Sequence, residues 1–254
     1  MISLEIRDIW KHYQTRNGKK IAILKGLNLQ VKQGEMVAVM GPSGSGKTTF
    51  LNIISGVDCS DQGSVWIDGQ YLAEMNKAEI ALFRRRSLGM VFQDFNLIES
   101  LSVKENILLP MILEKKPAEE QEEQVEKILT ILGIEDIRDQ SITEISGGER
   151  QRTAIGRALI NNPALILADE PTGNLDSKST REVMNYFLRI NREFGTSLLM
   201  VTHDTFAASH CHRTVLLKDG EFVAEERREG SRKEFLDSLT EMLTLMGGEQ
   251  DDLF

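Results

Sequence analysis

Gly41-Pro42-Ser43-Gly44-Ser45-Gly46-Lys47-Thr48 is a stretch suited to holding phosphate. Glycines let the backbone take up conformations that side chains forbid, so successive N–H groups can converge on phosphate oxygens at a helix N-terminus, where the dipole favours an anion. In that arrangement Lys47 reaches the β- and γ-phosphates as a point charge and the Thr48 hydroxyl ligates Mg2+. Alone, the pattern could equally be a Gly/Ser-rich turn ending in an exposed lysine. Its neighbours argue otherwise: Met36-Val37-Ala38-Val39-Met40 precedes it and Phe50-Leu51-Asn52-Ile53-Ile54 follows, which is strand-loop-helix context. A second glycine-flanked helix start, Ser146-Gly147-Gly148-Glu149, offers another anion site. Asp169 and Glu170 close the apolar run Ala164-Leu165-Ile166-Leu167-Ala168, and the carboxyl ends of buried strands are where ligands sit in open α/β sheets. Tyr13, read as a loop residue ahead of the phosphate stretch, could stack an adenine face or simply be an exposed aromatic.

The elements that must position these residues follow from periodicity. Ser3 to Ile9 and Leu27 to Val31 alternate with period two around a polar turn near Arg16-Asn17-Gly18, so antiparallel strands leading into the buried Met36 to Met40 run suggest a mixed sheet. Gly63 to Gly69 reads as a strand between turns, Ala78 to Arg86 as a short helix with a solvated Arg84-Arg85-Arg86, and Leu88 to Phe92 as a strand ending at Gln93. The loop Asp94-Phe95-Asn96-Leu97-Ile98 is apolar enough to be a contact surface. From Leu101 to about Ile145 the period becomes helical. Ser102-Val103-Lys104-Glu105 is a capping box for a helix ending near Pro110, and Pro117 takes a first helical position in a helix that Gly133 closes. This block reads as an insertion into an α/β pattern. The pattern resumes with an amphipathic helix through Val183, Phe187, Leu188 and Ile190 after Asn174-Leu175-Asp176, and a strand, Ser197 to Val201, ending at Thr202-His203-Asp204. Ser231 to Glu234 is a further capping box before Phe235, Leu239, Met242 and Met246, which share a helical face; Gly247 to Phe254 is expected to be disordered.

Composition narrows the partners. The 254 residues suffice for a full core, and a formal charge of −9 gives no support for nucleic acid as the main partner. No apolar run approaches the roughly 18–20 residues that cross a bilayer. The N-terminus lacks the pattern of a secretory signal, so a membrane role is expected through a partner. Cys59 and Cys211 are expected as free thiols in a cytosolic chain. His210-Cys211-His212 could suggest a metal site, but adjacent residues point to different faces.

Together these residues resemble the nucleotide-binding subunits of ABC transporters over essentially residues 1–225. Gly41 to Thr48 resembles the Walker A loop, Gln93 the Q-loop, Ile145 to Glu149 the signature, Leu165 to Glu170 the Walker B strand, Asn174 to Asp176 the D-loop, and His203 the switch histidine, all in family order. The resemblance implies an α/β P-loop NTPase with a RecA-like mixed core, an antiparallel β subdomain and an inserted α-helical subdomain at about 97–160, within an ATPase domain 1–228. Residues 229–254 would then form a C-terminal helical extension and acidic tail. It implies ATP as substrate, with contacts from Tyr13, Gly41, Pro42, Ser43, Gly44, Ser45, Gly46, Lys47, Thr48, Thr49 and Gln93, and from Ser146, Gly147, Gly148, Glu149 and Asp176. Thr48, Gln93 and Asp169 would hold Mg2+, Glu170 would orient and polarise the attacking water, and His203 would contact the γ-phosphate. Glu149 departs from the glutamine that many members carry, which points to a tuned interface.

One P-loop and one signature per chain imply, in that family, two copies facing head to tail around two ATP molecules. Val201 to Asp204 and Pro171 to Ser177 resemble the macrolide-exporter and lipoprotein-release branch. Within it, Asn96 to Pro110 and Ala207 to Cys211 look most like the bacitracin-type peptide-resistance transporters. That resemblance implies a multi-span permease as partner, a sensor histidine kinase reached through it, and a peripheral place on the cytoplasmic face of a bacterial-type inner or plasma membrane. Lipoprotein release, macrolide export and cell-division signalling are the alternatives, with soluble ABC ATPases acting on ribosomes or DNA a further one.

Overall fold

The computed structural model describes residues 1–15 and 17–247, Met246 and Gly247 by backbone alone. Two long strands, β1 (Ile2–Gln14) and β2 (Lys20–Lys32), precede the short strand β3 (Met36–Met40) and the helix α1 (Lys47–Ile54). Strands β4 (Gln62–Ile67) and β5 (Gln70–Tyr71), helix α2 (Lys77–Ser87) and strand β6 (Leu88–Val91) come next, then three helices, α3 (Val103–Leu113), α4 (Ala118–Leu132) and α5 (Gly147–Leu159). The remainder is β7 (Leu165–Asp169), α6 (Ser177–Phe194), β8 (Ser197–Thr202), α7 (Thr205–Ala208), β9 (Arg213–Lys218), β10 (Glu221–Arg227) and α8 (Arg232–Gly247).

The strands form two sheets. One has the order β2-β1-β4-β5 and is antiparallel; the other has the order β10-β9-β3-β8-β7-β6 and is parallel except for the edge strand β10. The mixed character of the larger sheet therefore comes from β10, while β1 and β2 build a sheet of their own. All five residues of β3 are buried, as expected of a parallel strand covered on both faces. Alternation sends them two ways. Met36, Ala38 and Met40 join a core with α3 to α8, whereas Val37 and Val39 join one with α1 and the antiparallel sheet.

Several boundaries differ from the sequence reading. β1 and β2 stay paired from Ile2↔Lys32 out to Gln14↔Lys20, so Tyr13 lies on a strand opposite Ile21 rather than on a loop. Of the turn beyond it, Arg16 lies outside the described residues. Helix α3 does not end near Pro110 but runs on to Leu113. A proline inside a helix costs about 3 kcal/mol. Pro110 sits in the last turn, and buried Leu108 and Met111 on either side each return about 1.5–3 kcal/mol by leaving water. Pro117 stands one residue outside α4 as its N-cap, and Gly133, in the left-handed region at φ 59°, closes that helix by donating to Leu129 O and Thr130 O. The Asp94 to Ile98 loop divides: Leu97 packs on the helical core while Ile98 stays exposed. Helix α8 extends through Gly247, which the sequence reading assigned to the tail; its Phe235 and Leu239 are buried in the helical core. Met246's side chain and the expected disorder of 248–254 fall outside the described residues.

Candidate functional site

The strand order decides which loops meet. β8 lies between β3 and β7, with Met40 opposite Thr202 and Asp169 opposite Val201; β6 flanks β7, with Val91 opposite Ala168. The carboxyl ends thus bring Gly41, His203, Asp169-Glu170 and Gln93 to one edge of the sheet, although 162 residues separate the first two in sequence.

The phosphate loop leaves several donors open. Gly46, the N-cap of α1, has φ 106° and supplies no side-chain cap, so the first amides of α1 remain available. A Cβ on Gly46 would meet Leu24 Cδ2 at 2.8 Å and Ile23 O at 3.0 Å, and one on Gly41 would collide with Leu217 O. Lys47 Nζ donates to the loop's own carbonyls, Gly41 O at 2.8 Å and Pro42 O at 3.0 Å. Ser45 Oγ is buried without a hydrogen-bond partner. A buried orphan hydroxyl beside unsatisfied amides and a lysine that has only backbone acceptors is a donor set waiting for an anion.

At the facing strand ends, burial, and then the Glu170 carboxylate beside it, push Asp169 above the usual carboxylate range, while Lys47 pulls the other way. A hard divalent cation held between Asp169, the Thr48 hydroxyl and Gln93 would relieve both pressures, so the oxygen donors present fit Mg2+. Glu170 is a non-glycine residue at φ 45°, a left-handed conformation that its backbone N–H bond to Val201 O helps to fix. Its Oε2 lies 2.9 Å from His203 Nδ1 and accepts from the His203 N–H at 3.3 Å. The His203 side chain is 71% exposed, free to meet a ligand.

Gln93 Nε2 donates to Asn174 Oδ1 at 3.2 Å, and Asn174 Nδ2 returns bonds to Gln93 O and Asp94 Oδ1. In sequence Asn174 stands out as a turn and D-loop residue, yet nothing there shows that it holds Gln93. Arg157 was likewise unmarked, yet from α5 it donates to Phe95 O and Asn96 O and so fixes the apolar loop. Tyr13, 43% exposed, donates its hydroxyl to Asp58 Oδ2 at 2.7 Å, and the Asp58 N–H donates to Asn52 O of α1, which ties Tyr13 to the phosphate-loop helix.

A second cluster forms elsewhere. Ser146 caps α5 by accepting from the Glu149 N–H at 3.3 Å, while Glu149 Oε2 accepts from the Ser146 N–H at 2.8 Å and from its hydroxyl at 2.6 Å. Those bonds from Ser146 hold the Glu149 carboxyl below its usual range. Asp176 caps α6, accepting from the N–H groups of Lys178 and Ser179 and from the Ser179 hydroxyl. Ser179 Oγ would lie 3.2 Å from a Cβ on Gly148, so the first turns of α5 and α6 adjoin. Among the described residues, no hydrogen bond or ion pair joins this cluster to Gly41 through Thr49. His210, Cys211 and His212 serve three separate partners: His210 lies between Phe206 O and Arg232, Cys211 is buried with its thiol pushed up to about 12, and His212 Nδ1 accepts from the Met36 N–H. No group of three or more His, Cys, Asp or Glu able to hold a metal occurs among the described residues.

A family model described as "ABC transporter" matches residues 24–173. The bacitracin export ATP-binding protein BceA of Halalkalibacterium halodurans is 41% identical over 253 residues, 99% of this chain and 100% of BceA. The lipoprotein-releasing system ATP-binding protein LolD of Aquifex aeolicus is 48% identical over 206 residues, 81% of this chain and 92% of LolD. The solved dimer of the ATP-binding cassette MJ0796 from Methanocaldococcus jannaschii, in a post-hydrolysis state bound to ADP and Pi, superposes with TM-score 0.81 at 39% identity, covering 90% of this chain and 100% of that one. With a glycine loop, a carboxylate pair and His203 at one sheet edge, and with these matches, the chain belongs to the ABC transporter family. It is an ATP-binding, ATP-hydrolysing transporter subunit.

Proposed function

We propose that two copies of this chain close on two ATP molecules and drive a separate multi-span permease, giving resistance to, and sensing of, bacitracin-like antimicrobial peptides. The subunit sits peripherally on the cytoplasmic face of a bacterial-type membrane, and a sensor histidine kinase joins through the permease. The observation that carries the catalytic reading is the meeting of Lys47, Asp169, Glu170 and His203 while Ser146 lies in a separate cluster. Such a site is half complete, and a second copy placed head to tail supplies the missing half to each ATP.

In each site Lys47 leaves its two loop carbonyls for phosphate oxygens, joined by the α1 amides and Ser45 Oγ. Thr48, Gln93 and Asp169 would hold Mg2+, which supplies charge neutralisation on the phosphate oxygens. His203 occupies Glu170 Oε2, leaving Oε1 to orient the attacking water and take its proton as the water oxygen bonds to the γ-phosphorus and the bridging oxygen leaves with ADP. Capping by the partner's Ser146 requires its hydroxyl to turn from Glu149 to the γ-phosphate.

For the permease, a cleft of about 420 Å3 between α2, α3 and α5 offers a seat: Arg84, Arg85 and Arg157 alternate there with Met90, Leu109 and Leu113, beside Asn96 of the apolar loop. The peptide-resistance branch is favoured because the BceA alignment spans 253 residues and so includes α8, whereas the LolD alignment spans 206. The test is a deletion strain challenged with bacitracin, together with affinity purification of the tagged subunit from membranes. Wild type should restore resistance and bring down a multi-span protein. Glu170→Gln should bind ATP, accumulate as dimer and lose hydrolysis by about 100-fold or more. Full bacitracin tolerance in the deletion strain refutes the substrate class, and normal turnover by Glu170→Gln refutes its assigned role.

A further inference from the structure

The aromatic ring of Tyr13 is held by a network that its proposed role in stacking adenine does not itself require. Asp58, on the loop after α1, accepts the Tyr13 hydroxyl on Oδ2 at 2.7 Å and Lys11 Nζ on Oδ1 at 2.7 Å. The same Oδ1 takes the Cys59 N–H at 2.7 Å, and Lys11 Nζ also donates to Cys59 O. Lys11 is a charged residue only 8% exposed, so its ammonium is committed to these acceptors. It stands 5.1 Å from the centroid of the Tyr13 ring, over one face.

The geometry has a direction. A flexible tyrosine would lose side-chain entropy each time a base stacked on it. Here one carboxylate oxygen holds the phenol before any ligand arrives, the other is itself held by the Lys11 ammonium and the Cys59 N–H, and Lys11 closes one ring face so that a base has the other. We infer that Asp58 is a positioning residue for nucleotide binding: through Tyr13 and Lys11 it sets the base platform at a fixed offset from the phosphate loop. This rests on the reading of Tyr13 as the adenine contact. Although burial would raise it, the Asp58 carboxyl is held below its usual range by Lys11 and Tyr13, so the ion pair persists at neutral pH.

The experiment compares ATP with inorganic tripolyphosphate, which has phosphates and no base, by equilibrium binding to the full chain, alongside steady-state hydrolysis. Base-aromatic stacking is strong enough that losing its alignment is read as a change of several-fold. Asp58→Ala should weaken ATP binding about 3- to 10-fold and raise KM in step, with kcat changed less than about twofold and tripolyphosphate binding unchanged. Tyr13→Phe, which keeps the ring and loses the anchor, should match it. The double variant should be no worse than either alone, and Asp58→Asn, which keeps one acceptor oxygen and puts an amide donor in place of the other, should fall between. If Asp58→Ala does not fold, Asp58→Asn and Tyr13→Phe carry the same comparison. Parallel loss of tripolyphosphate binding overturns the inference, because the phosphate loop itself would then be disturbed. Wild-type ATP binding by Asp58→Ala and Tyr13→Phe, with a large loss in Tyr13→Ala, removes the inference and keeps Tyr13 as the base contact. Wild-type binding by Tyr13→Ala removes both.

Discussion

The chain has two glycine-flanked helix starts, and they treat their amides in opposite ways. At α1 the N-cap is Gly46 in a left-handed conformation with no side chain to offer, and Lys47 rests on the carbonyls of its own loop. At α5 the N-cap is Ser146, and a reciprocal capping box with Glu149 satisfies the first turn from within. The first helix start is open and cationic; the second is closed and carries a carboxylate. Under the proposed dimer the two starts differ in what they await: α1 takes phosphate as a single chain, whereas α5 must first give up an internal bond for a phosphate that another copy holds.

The largest effect that sharpens this contrast is at the open end. Lys47→Ala should weaken ATP binding by the isolated subunit about 10- to 100-fold, since hydrogen bonds to charged groups contribute about 1.5–3 kcal/mol. Ser146→Ala should be smaller and of another kind: ATP binding by the single chain within about twofold of wild type, and ATP-driven dimerisation reduced about tenfold, read by sedimentation. Equal loss of monomer binding in both variants would break the contrast, because both starts would then serve one site in one chain.

Glu149→Gln should have the smallest effect, tightening the ATP-dependent dimer about two- to fivefold by removing a negative charge from the amides that receive phosphate. Its sign with pH follows from the Ser146 bonds that hold the carboxyl low. A group depressed on folding contributes stability above its ordinary value of 4.5, lost as pH falls through the lower folded value, so dimerisation should not respond to Glu149 between about pH 6 and 8. A dimer constant that changes there in wild type and not in Glu149→Gln would contradict this.

Much of the candidate site was readable from the chain because it lies on strand termini. A five-residue apolar run that ends in Asp169-Glu170, or that feeds the glycine loop at Met40, has to be buried, and a buried parallel strand presents its carboxyl end to ligand. What failed were boundaries governed by partners distant in sequence. β1 outruns its alternation because β2 pairs with it to Gln14, and that pairing moves Tyr13 from loop to strand. α3 passes Pro110 because Leu108 and Met111 are buried against the helical core.

By itself, the sequence determined the local chemistry: a glycine-rich loop, a lysine and threonine at a helix start, and two acids at the end of a strand, each a property of a few adjacent residues. Tertiary structure alone decided the adjacencies. The insertion of β8 between β3 and β7 brings His203 to Glu170, the turn at Asn174 reaches Gln93, and Asp58 grips Tyr13 across 45 residues. The reason is physical: local spacing fixes which groups share a strand end or a helix turn, whereas hydrogen bonds between distant segments depend on strand order and core packing.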